Sequence, residues 1–145
     1  MNYPYDYDER PPYQLVREWM GSFQREMDKE FNQQDIELTR ALINEEYNEV
    51  EDELYQDDFD PRYSYTNCPE EYSKERLTKE LCDLIWVCYF CAAKFGLPIE
   101  EAFKRVYESN MSKLQDDGTP LLNEMGKILK GPNYKPAQLG DLFDT

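Results

Sequence analysis

Three glutamates of one predicted helix are the first residues whose spacing could support chemistry. Glu46 and Glu49 stand three residues apart and Glu53 follows four residues later, so their carboxylates lie on one side of a helix. From Glu45 to Asp58 the chain has eight acids and no Lys or Arg. Like charges at this spacing each destabilise an isolated helix by roughly 0.2–0.5 kcal/mol. Such a helix either points its acids into water or holds a cation.

A second acidic pair, Glu80 and Asp83, begins an apolar stretch of a later helix. A buried ionised carboxylate is strongly destabilising unless it is paired or bound to a metal. Pairing with Lys or Arg of a neighbouring helix is one explanation, but the acidic helix supplies no such partner. If the two helices pack together, one or more divalent cations would stabilise the meeting of their acids. Oxygen-only ligation favours magnesium or manganese, or calcium, over zinc. The four candidate ligands are Glu46, Glu49, Glu80 and Asp83.

Histidine is absent from the 145 residues, which restricts the possible chemistry. Ser-His-Asp and Cys-His nucleophiles, His-ligated zinc and the Glu-x-x-His sites of di-iron bundles are all excluded. The formal net charge is −15, of which −14 falls in residues 1–100 and −1 in residues 101–145. This charge does not favour nucleic acid or an anionic membrane as a partner. Catalysis would therefore depend on carboxylates and a hard cation.

The four cysteines, at positions 68, 82, 88 and 91, do not form a disulfide framework, and no segment resembling a signal peptide precedes them. We therefore predict a cytoplasmic protein with reduced thiols. Cys88 and Cys91 form a Cys-x-x-Cys pair inside an apolar run, without a second pair. We interpret them as small residues that fill the core.

Apolar residues at helical spacing predict an all-α protein. Asp35 is the expected N-cap of the second helix, and Gly96 is the expected stop of the third. The middle of the third helix, residues 81–95, is apolar almost all round, which indicates burial at the centre or in the interface of a homodimer or homotetramer. The predicted helices are 13–31, with Leu15, Trp19, Phe23 and Met27 on its core face; 35–55; 70–95; and 98–113, with Ile99, Ala102, Phe103, Val106 and Tyr107 on its buried face.

The remaining segments lack a helical period. Residues 1–12 predict a mobile leader. The loop 56–71 is rich in Asp, Tyr and Pro, but it is not an EF-hand because Tyr63 falls where that loop needs Gly. Beyond Asp116, lysines interleave with glycines and one aromatic residue, which suits a loop that approaches phosphates and covers a base. A basic surface tail is the alternative. The residues concerned are Lys127, Lys130, Lys135 and Tyr134.

Five elements in order resemble a known family. Glu45-Glu46-x-x-Glu49 and Glu80-x-x-Asp83 resemble the paired motif of the MazG-like, all-α nucleoside triphosphate pyrophosphohydrolases. The phosphoribosyl-ATP pyrophosphohydrolase-like branch is the most similar. That similarity rests on Arg40-x-Leu-Ile-x-Glu-Glu, on Asn110-x-x-Lys113 and on the ending Gly126-Lys127-Ile-Leu-Lys130-Gly-Pro-Asn-Tyr134-Lys-Pro. The resemblance covers about residues 33–140.

The resemblance implies a MazG-like bundle of four to five helices in residues 13–145, with an irregular tail, 114–145, that covers the nucleotide. It implies that Mg²⁺, or Mn²⁺ in its place, is bound by the two acidic motifs, and that Glu45 orients or deprotonates a water. Asn110 and Lys113 would contact phosphate, and Lys127, Lys130 and Tyr134 would close over the nucleotide.

The predicted function is hydrolysis of (deoxy)nucleoside triphosphates to monophosphate and pyrophosphate. Cations that bridge the phosphates would neutralise developing charge and activate water, so histidine is not needed. Two alternatives stay open at this point. One keeps the fold and makes phosphoribosyl-ATP the substrate; the other is a non-enzymatic acidic interaction protein, such as a nucleic-acid mimic.

Overall fold

The computed structural model describes residues 9–54 and 72–144, and these residues are helical apart from their connections. Most of the predicted leader and the whole loop 56–71 lie outside them. The described part has no β-strand, only an isolated antiparallel bridge between Leu122 and Ile128. The prediction of an all-α protein is therefore confirmed. The helices are α1 (Pro12–Ser22), α2 (Gln33–Leu54), α3 (Lys74–Lys94) and α4 (Ile99–Met111), followed by a short 3₁₀ helix, Gly140–Phe143.

The chain divides into two compact units, Met1–Leu97 and Pro98–Thr145. In the first unit α3 is the shared element, because both α1 and α2 pack against it. The buried core consists of Val16 and Met20 from α1 with Phe90 and Ala93 from α3. Partly buried apolar side chains surround it: Tyr13, Trp19, Met27, Leu42, Trp86 and Tyr89.

α1 ends at Ser22, so the predicted helix to Phe31 is wrong beyond that point. Gln24 and Asp28 have φ angles of 54° and 55°, in the left-handed region that a continuing helix cannot contain. The predicted core face is shifted as well, since Phe23 is 58% exposed while Val16 and Met20 are buried. The apolar spacing continues through Phe23 and Met27, although the backbone leaves the helix after Ser22.

Contacts with the end of α3 hold this segment after α1. The backbone N–H groups of Asp28 and Lys29 donate to the carbonyls of Ala93 and Lys94, at 2.9 and 2.8 Å. Arg17 also pairs with Asp28, at 2.8 Å. Apolar periodicity does not show such hydrogen bonds between distant segments, so the path of the chain after α1 was not predicted.

A buried ion pair connects the start of α2 to the end of α3. Asp35 and Lys94 are only 8% and 5% exposed, and Lys94 Nζ lies 3.4 Å from Asp35 Oδ1. Lys29 and the Asn32 amide also donate to the Asp35 carboxylate. These donors, Lys29 foremost and Asn32 next, lower the pKa of Asp35 to about 2. Asp35 is not the N-cap as predicted: it lies inside the helix, and Asn32 Oδ1 accepts its N–H at 2.9 Å.

α3 has well-defined ends. Ser73 caps its start by accepting the N–H of Arg76 at 3.2 Å. Gly96, with φ of 60°, follows its end, so the predicted stop is confirmed.

The middle of α3 is not buried on all sides within one chain. Leu81 and Ile85 are 42% and 53% exposed. Cys88 is exposed too, so its interpretation as a core-filling residue is wrong for the single chain. The thiols of Cys82, Cys88 and Cys91 are free.

In the second unit, the chain after α4 packs along that helix. Arg105 pairs with Asp141 at 2.6 Å and donates to the Gln138 carbonyl at 2.9 Å. The predicted buried face of α4 is wrong for the single chain at Phe103 and Tyr107, which are 70% and 61% exposed, and at Val106, while Ile99 and Ala102 are half-buried. Among the described residues, no helix is both long and apolar enough to cross a membrane.

Candidate metal centre

α2 and α3 run antiparallel, and four contacts between them share one register. The buried pair Asp35–Lys94 lies at one end, and the pair of Glu53 with Arg76, at 3.0 Å, lies at the other. In both pairs the two residue numbers add up to 129. Moving eleven residues from Asp35 along α2 reaches Glu46, and moving eleven back from Lys94 along α3 reaches Asp83. Eleven residues are about three helical turns, so both acids point to the shared interface.

The structure brings the four predicted acids together. Glu46, Glu49, Glu80 and Asp83 each offer one carboxylate oxygen, and these oxygens all lie within 4.8 Å of one another. Glu49 and Glu80 follow the same register as the flanking ion pairs. An acid of α2 meets a base of α3 at both ends of the interface, whereas acid meets acid between them. The predicted convergence of the two motifs is therefore present.

Two oxygens of this cluster lack any hydrogen-bond partner. They are Glu46 Oε2 and Glu80 Oε2, both buried. Burial raises the pKa of Glu80 above its ordinary value, and the adjoining Glu49 carboxylate raises it further, while Lys79 opposes both effects. Buried acceptors without donors are rare and costly in folded proteins. The two orphan oxygens belong to residues of the cluster that could hold a cation.

The donor set matches a hard divalent cation. All four ligands are carboxylate oxygens, which suits magnesium, manganese or calcium. Opposite ligands of Mg²⁺ are about 4.2 Å apart, and those of Ca²⁺ about 5 Å, as twice the metal–oxygen distance. The 4.8 Å limit of the cluster falls between these values. The spacing of the carboxylates is therefore of the order that a hard divalent cation needs.

A lysine of α3 lies beside the cluster and was missed by the sequence reasoning. Lys79 Nζ is 2.7 Å from Asp83 Oδ2 and 3.4 Å from Glu80 Oε1. The expected alternative was a base on the neighbouring helix, but Lys79 belongs to the same helix as Glu80 and Asp83. The signal was visible, since Lys79 and Asp83 have the i, i+4 spacing of helical ion pairs.

The predicted catalytic Glu45 is not among the four converging acids. It directly precedes Glu46 in α2, and its side chain is exposed. Its carboxylate is therefore available to water but is not assigned a partner by the geometry.

The other predicted site residues belong to the second unit. Asn110 lies in the last turn of α4 and Lys113 just beyond it. Gly131 donates its N–H to the Lys113 carbonyl at 3.1 Å, and a side chain at Gly131 would come within 2.4 Å of that oxygen. Lys130 Nζ lies 4.8 Å from the centre of the Tyr134 ring, so one face of that ring is covered by the ammonium.

Lys127 lies in a tight turn organised by one side chain. Asn123 Oδ1 accepts the N–H groups of Met125 and Lys127, both at 2.9 Å. Gly126, with φ of 79°, occupies the turn between them. The side chain of Lys127 is exposed. The residues predicted to contact the nucleotide thus all lie in the second unit.

An antiparallel pair of helices that joins two acidic Glu-x-x-Glu/Asp motifs defines the MazG-like class of all-α nucleotide pyrophosphohydrolases. The model of one family in this class, described as phosphoribosyl-ATP pyrophosphohydrolase, matches residues 13–110. The chain belongs to this phosphoribosyl-ATP pyrophosphohydrolase family. The match includes all four clustered acids. A search among curated proteins finds no match.

Proposed function

We propose that this protein hydrolyses (deoxy)nucleoside triphosphates between the α and β phosphates, releasing monophosphate and pyrophosphate. Family membership indicates a pyrophosphohydrolase that acts on nucleotides. The observation that carries the proposal is the meeting of four carboxylates, two with orphan buried oxygens, in the helix pair that the family match covers. A polyphosphate is a chemically suitable partner for a cation held in this way.

Each acidic residue has a distinct task in this proposal. Glu46 and Glu49 on α2, with Glu80 and Asp83 on α3, would hold Mg²⁺ or Mn²⁺. The bound cation would supply charge neutralisation for the phosphates and would make water a better nucleophile. Glu45, adjacent and exposed, would orient the attacking water or accept its proton.

In this proposal, residues of the second unit bind the nucleotide itself, with amide and ammonium groups for the phosphates and an aromatic ring for the base. Asn110 and Lys113 offer an amide and an ammonium to phosphate oxygens. Lys127 and Lys130 add further positive charge, and Tyr134 offers a ring surface to the base. Since Lys130 contacts one face of that ring, stacking would use the opposite face or displace the ammonium.

Phosphoribosyl-ATP is a second candidate substrate because the family description names it. Its hydrolysis also releases pyrophosphate from a nucleotide, so the same acids would serve. A panel of nucleoside triphosphates, their deoxy forms and phosphoribosyl-ATP, assayed for pyrophosphate with magnesium, separates the two. Absence of pyrophosphate release from every substrate would instead favour the non-enzymatic acidic protein.

Two kinds of variant test the assigned roles. We expect Glu49→Gln and Asp83→Asn to lose both turnover and metal-induced thermal stabilisation. Glu45→Gln should lose turnover but keep the stabilisation, because its carboxylate is outside the cluster. Glu51→Gln serves as the control, because Glu51 is an exposed residue of α2 and the substitution also removes one negative charge. Wild-type turnover in Glu49→Gln or Asp83→Asn would show that the ligand assignment is wrong.

We further propose a cytoplasmic homodimer or homotetramer. The exposed apolar side chains Leu81 and Ile85 of α3 and Phe103 of α4 support self-association. The proposed location rests on the sequence, in which the spacing of the four cysteines does not form a disulfide framework. Sedimentation equilibrium would measure the assembly state.

A further inference from the structure

Lys79 contacts two of the four acids that the proposed function assigns to the cation. Its ammonium lies 2.7 Å from Asp83 and 3.4 Å from Glu80. Its side chain is nevertheless 65% exposed, so it reaches the cluster from the solvent side. The long flexible stem of a lysine lets such an ammonium leave without disturbing the packing beneath it.

One ammonium does not satisfy the cluster. Four carboxylates with one lysine leave a formal charge of −3 when all four are ionised. Glu46 Oε2 and Glu80 Oε2 stay without a partner even with Lys79 in place. A divalent cation among the four oxygens would need Asp83 and Glu80, the same groups that hold the ammonium.

We propose that Lys79 is an exchangeable counter-ion of the acid cluster, which stabilises the metal-free protein and is displaced when a divalent cation binds. The ammonium and the cation compete for the Asp83 carboxylate, and the positive charge of the lysine repels the incoming ion. Lys79 therefore sets the metal affinity below the value that four acids alone would give. This inference rests on the metal centre of the proposed function.

The first test is direct titration of the purified 145-residue protein with Mg²⁺ and with Mn²⁺ by calorimetry. Two charges about 4 Å apart interact appreciably even in water, and more strongly when one of them is divalent. We expect Lys79→Met to bind the cation about tenfold more tightly than the wild type. Melting in EDTA should occur at a lower temperature for the same variant, because the repulsion among the acids is then unopposed.

Two further variants separate this role from a merely structural one. Lys79→Arg keeps the charge and should restore the wild-type melting temperature in EDTA. Lys74→Met makes the same charge change on the same helix, five residues away and thus on another side, and should change neither quantity. Methionine matches lysine in helix propensity, so the helix itself is not perturbed.

A measurement on the wild-type chain avoids substitution altogether. In protein with isotope-labelled lysine, the side-chain order parameter of Lys79 should fall when magnesium is added, because the ammonium is released to solvent. Lys74 should show no such change.

The outcomes distinguish the inference from its premise. If the wild type binds neither ion, the metal centre and the role of Lys79 both fail. If the wild type binds but Lys79→Met binds equally or more weakly, only the role of Lys79 fails. An unchanged order parameter on saturation with magnesium would also overturn it.

Discussion

Neutralising one half-buried acid of the cluster should stabilise the protein and disable its proposed metal centre at the same time. Glu46 is the most informative position for this test, because one of its oxygens is buried without a hydrogen-bond partner and its carboxylate belongs to the cluster of four. Glu46→Gln keeps the shape of the side chain, removes one charge and provides an amide that can donate to the neighbouring carboxylates.

The expected magnitude follows from the distances. Two unit charges 4.8 Å apart repel by about 1 kcal/mol at the dielectric of water and by about 3 kcal/mol at an effective value of 20. Lys79 offsets part of the repulsion. We therefore expect Glu46→Gln to raise the free energy of unfolding in EDTA by about 1–3 kcal/mol. For a chain of this length the melting temperature should rise by about 2–10 °C.

Scanning fluorimetry in EDTA and in a magnesium series measures both effects. For the wild type, magnesium at a hundred times its Kd should add about 2.7 kcal/mol to stability. Glu46→Gln should lose most of this gain, while Glu51→Gln, exposed on the same helix, should behave as the wild type. A Glu46→Gln protein that melts below the wild type in EDTA, or that keeps the full magnesium shift, would refute the reasoning.

Two further predictions concern the framework of the first unit. Met20 is fully buried in the core, so Met20→Ala should lower the free energy of unfolding in urea by about 2–5 kcal/mol. Met125 is 91% exposed, so Met125→Ala, the control, should lower it by less than about 0.5 kcal/mol. The pKa of Asp35 is depressed to about 2, so its contribution to stability is present above the ordinary aspartate pKa and is lost as the pH falls through about 2. The difference in urea midpoint between wild type and Asp35→Asn should therefore have its largest value at pH 5 and shrink between about pH 4 and pH 2. A difference that stays constant over this range would contradict the role of the ion pair.

The acid cluster could be predicted from the sequence because its members repeat at helical spacing. Glu46 and Glu49 share one side of a helix whatever lies around them, and so do Glu80 and Asp83. The apolar run around Glu80 and Asp83 then indicated that their side of α3 faces inward, whereas the acidic helix left open whether Glu46 and Glu49 point into water or hold a cation. Local spacing and the cost of buried charge were sufficient for this part of the site.

Features that depend on the pairing of distant segments could not be predicted in the same way. α1 ends in a local turn, in which Gln24 is left-handed and Arg25 donates its N–H to the Met20 carbonyl at 2.8 Å. The backbone hydrogen bonds that Asp28 and Lys29 then make to the end of α3 are not marked by the local pattern. The exposure of Phe103 on α4 was also not predicted, because the spacing of apolar residues shows which face of a helix is apolar but not whether the same chain covers that face.

The register between α2 and α3 shows why a repulsive cluster can persist in a folded protein. Asp35–Lys94 at one end and Glu53–Arg76 at the other are attractive, and both belong to the alignment that opposes Glu46 to Asp83. Sliding one helix by a single residue would move it about 1.5 Å and turn its side chains by about 100°, which would break both end pairs. Sliding of the helices therefore does not relieve the repulsion among the four acids. A cation bound between them would relieve it. The two ion pairs therefore act as positioning contacts for the proposed metal centre, and the repulsion among its acids makes the metal-free protein less stable.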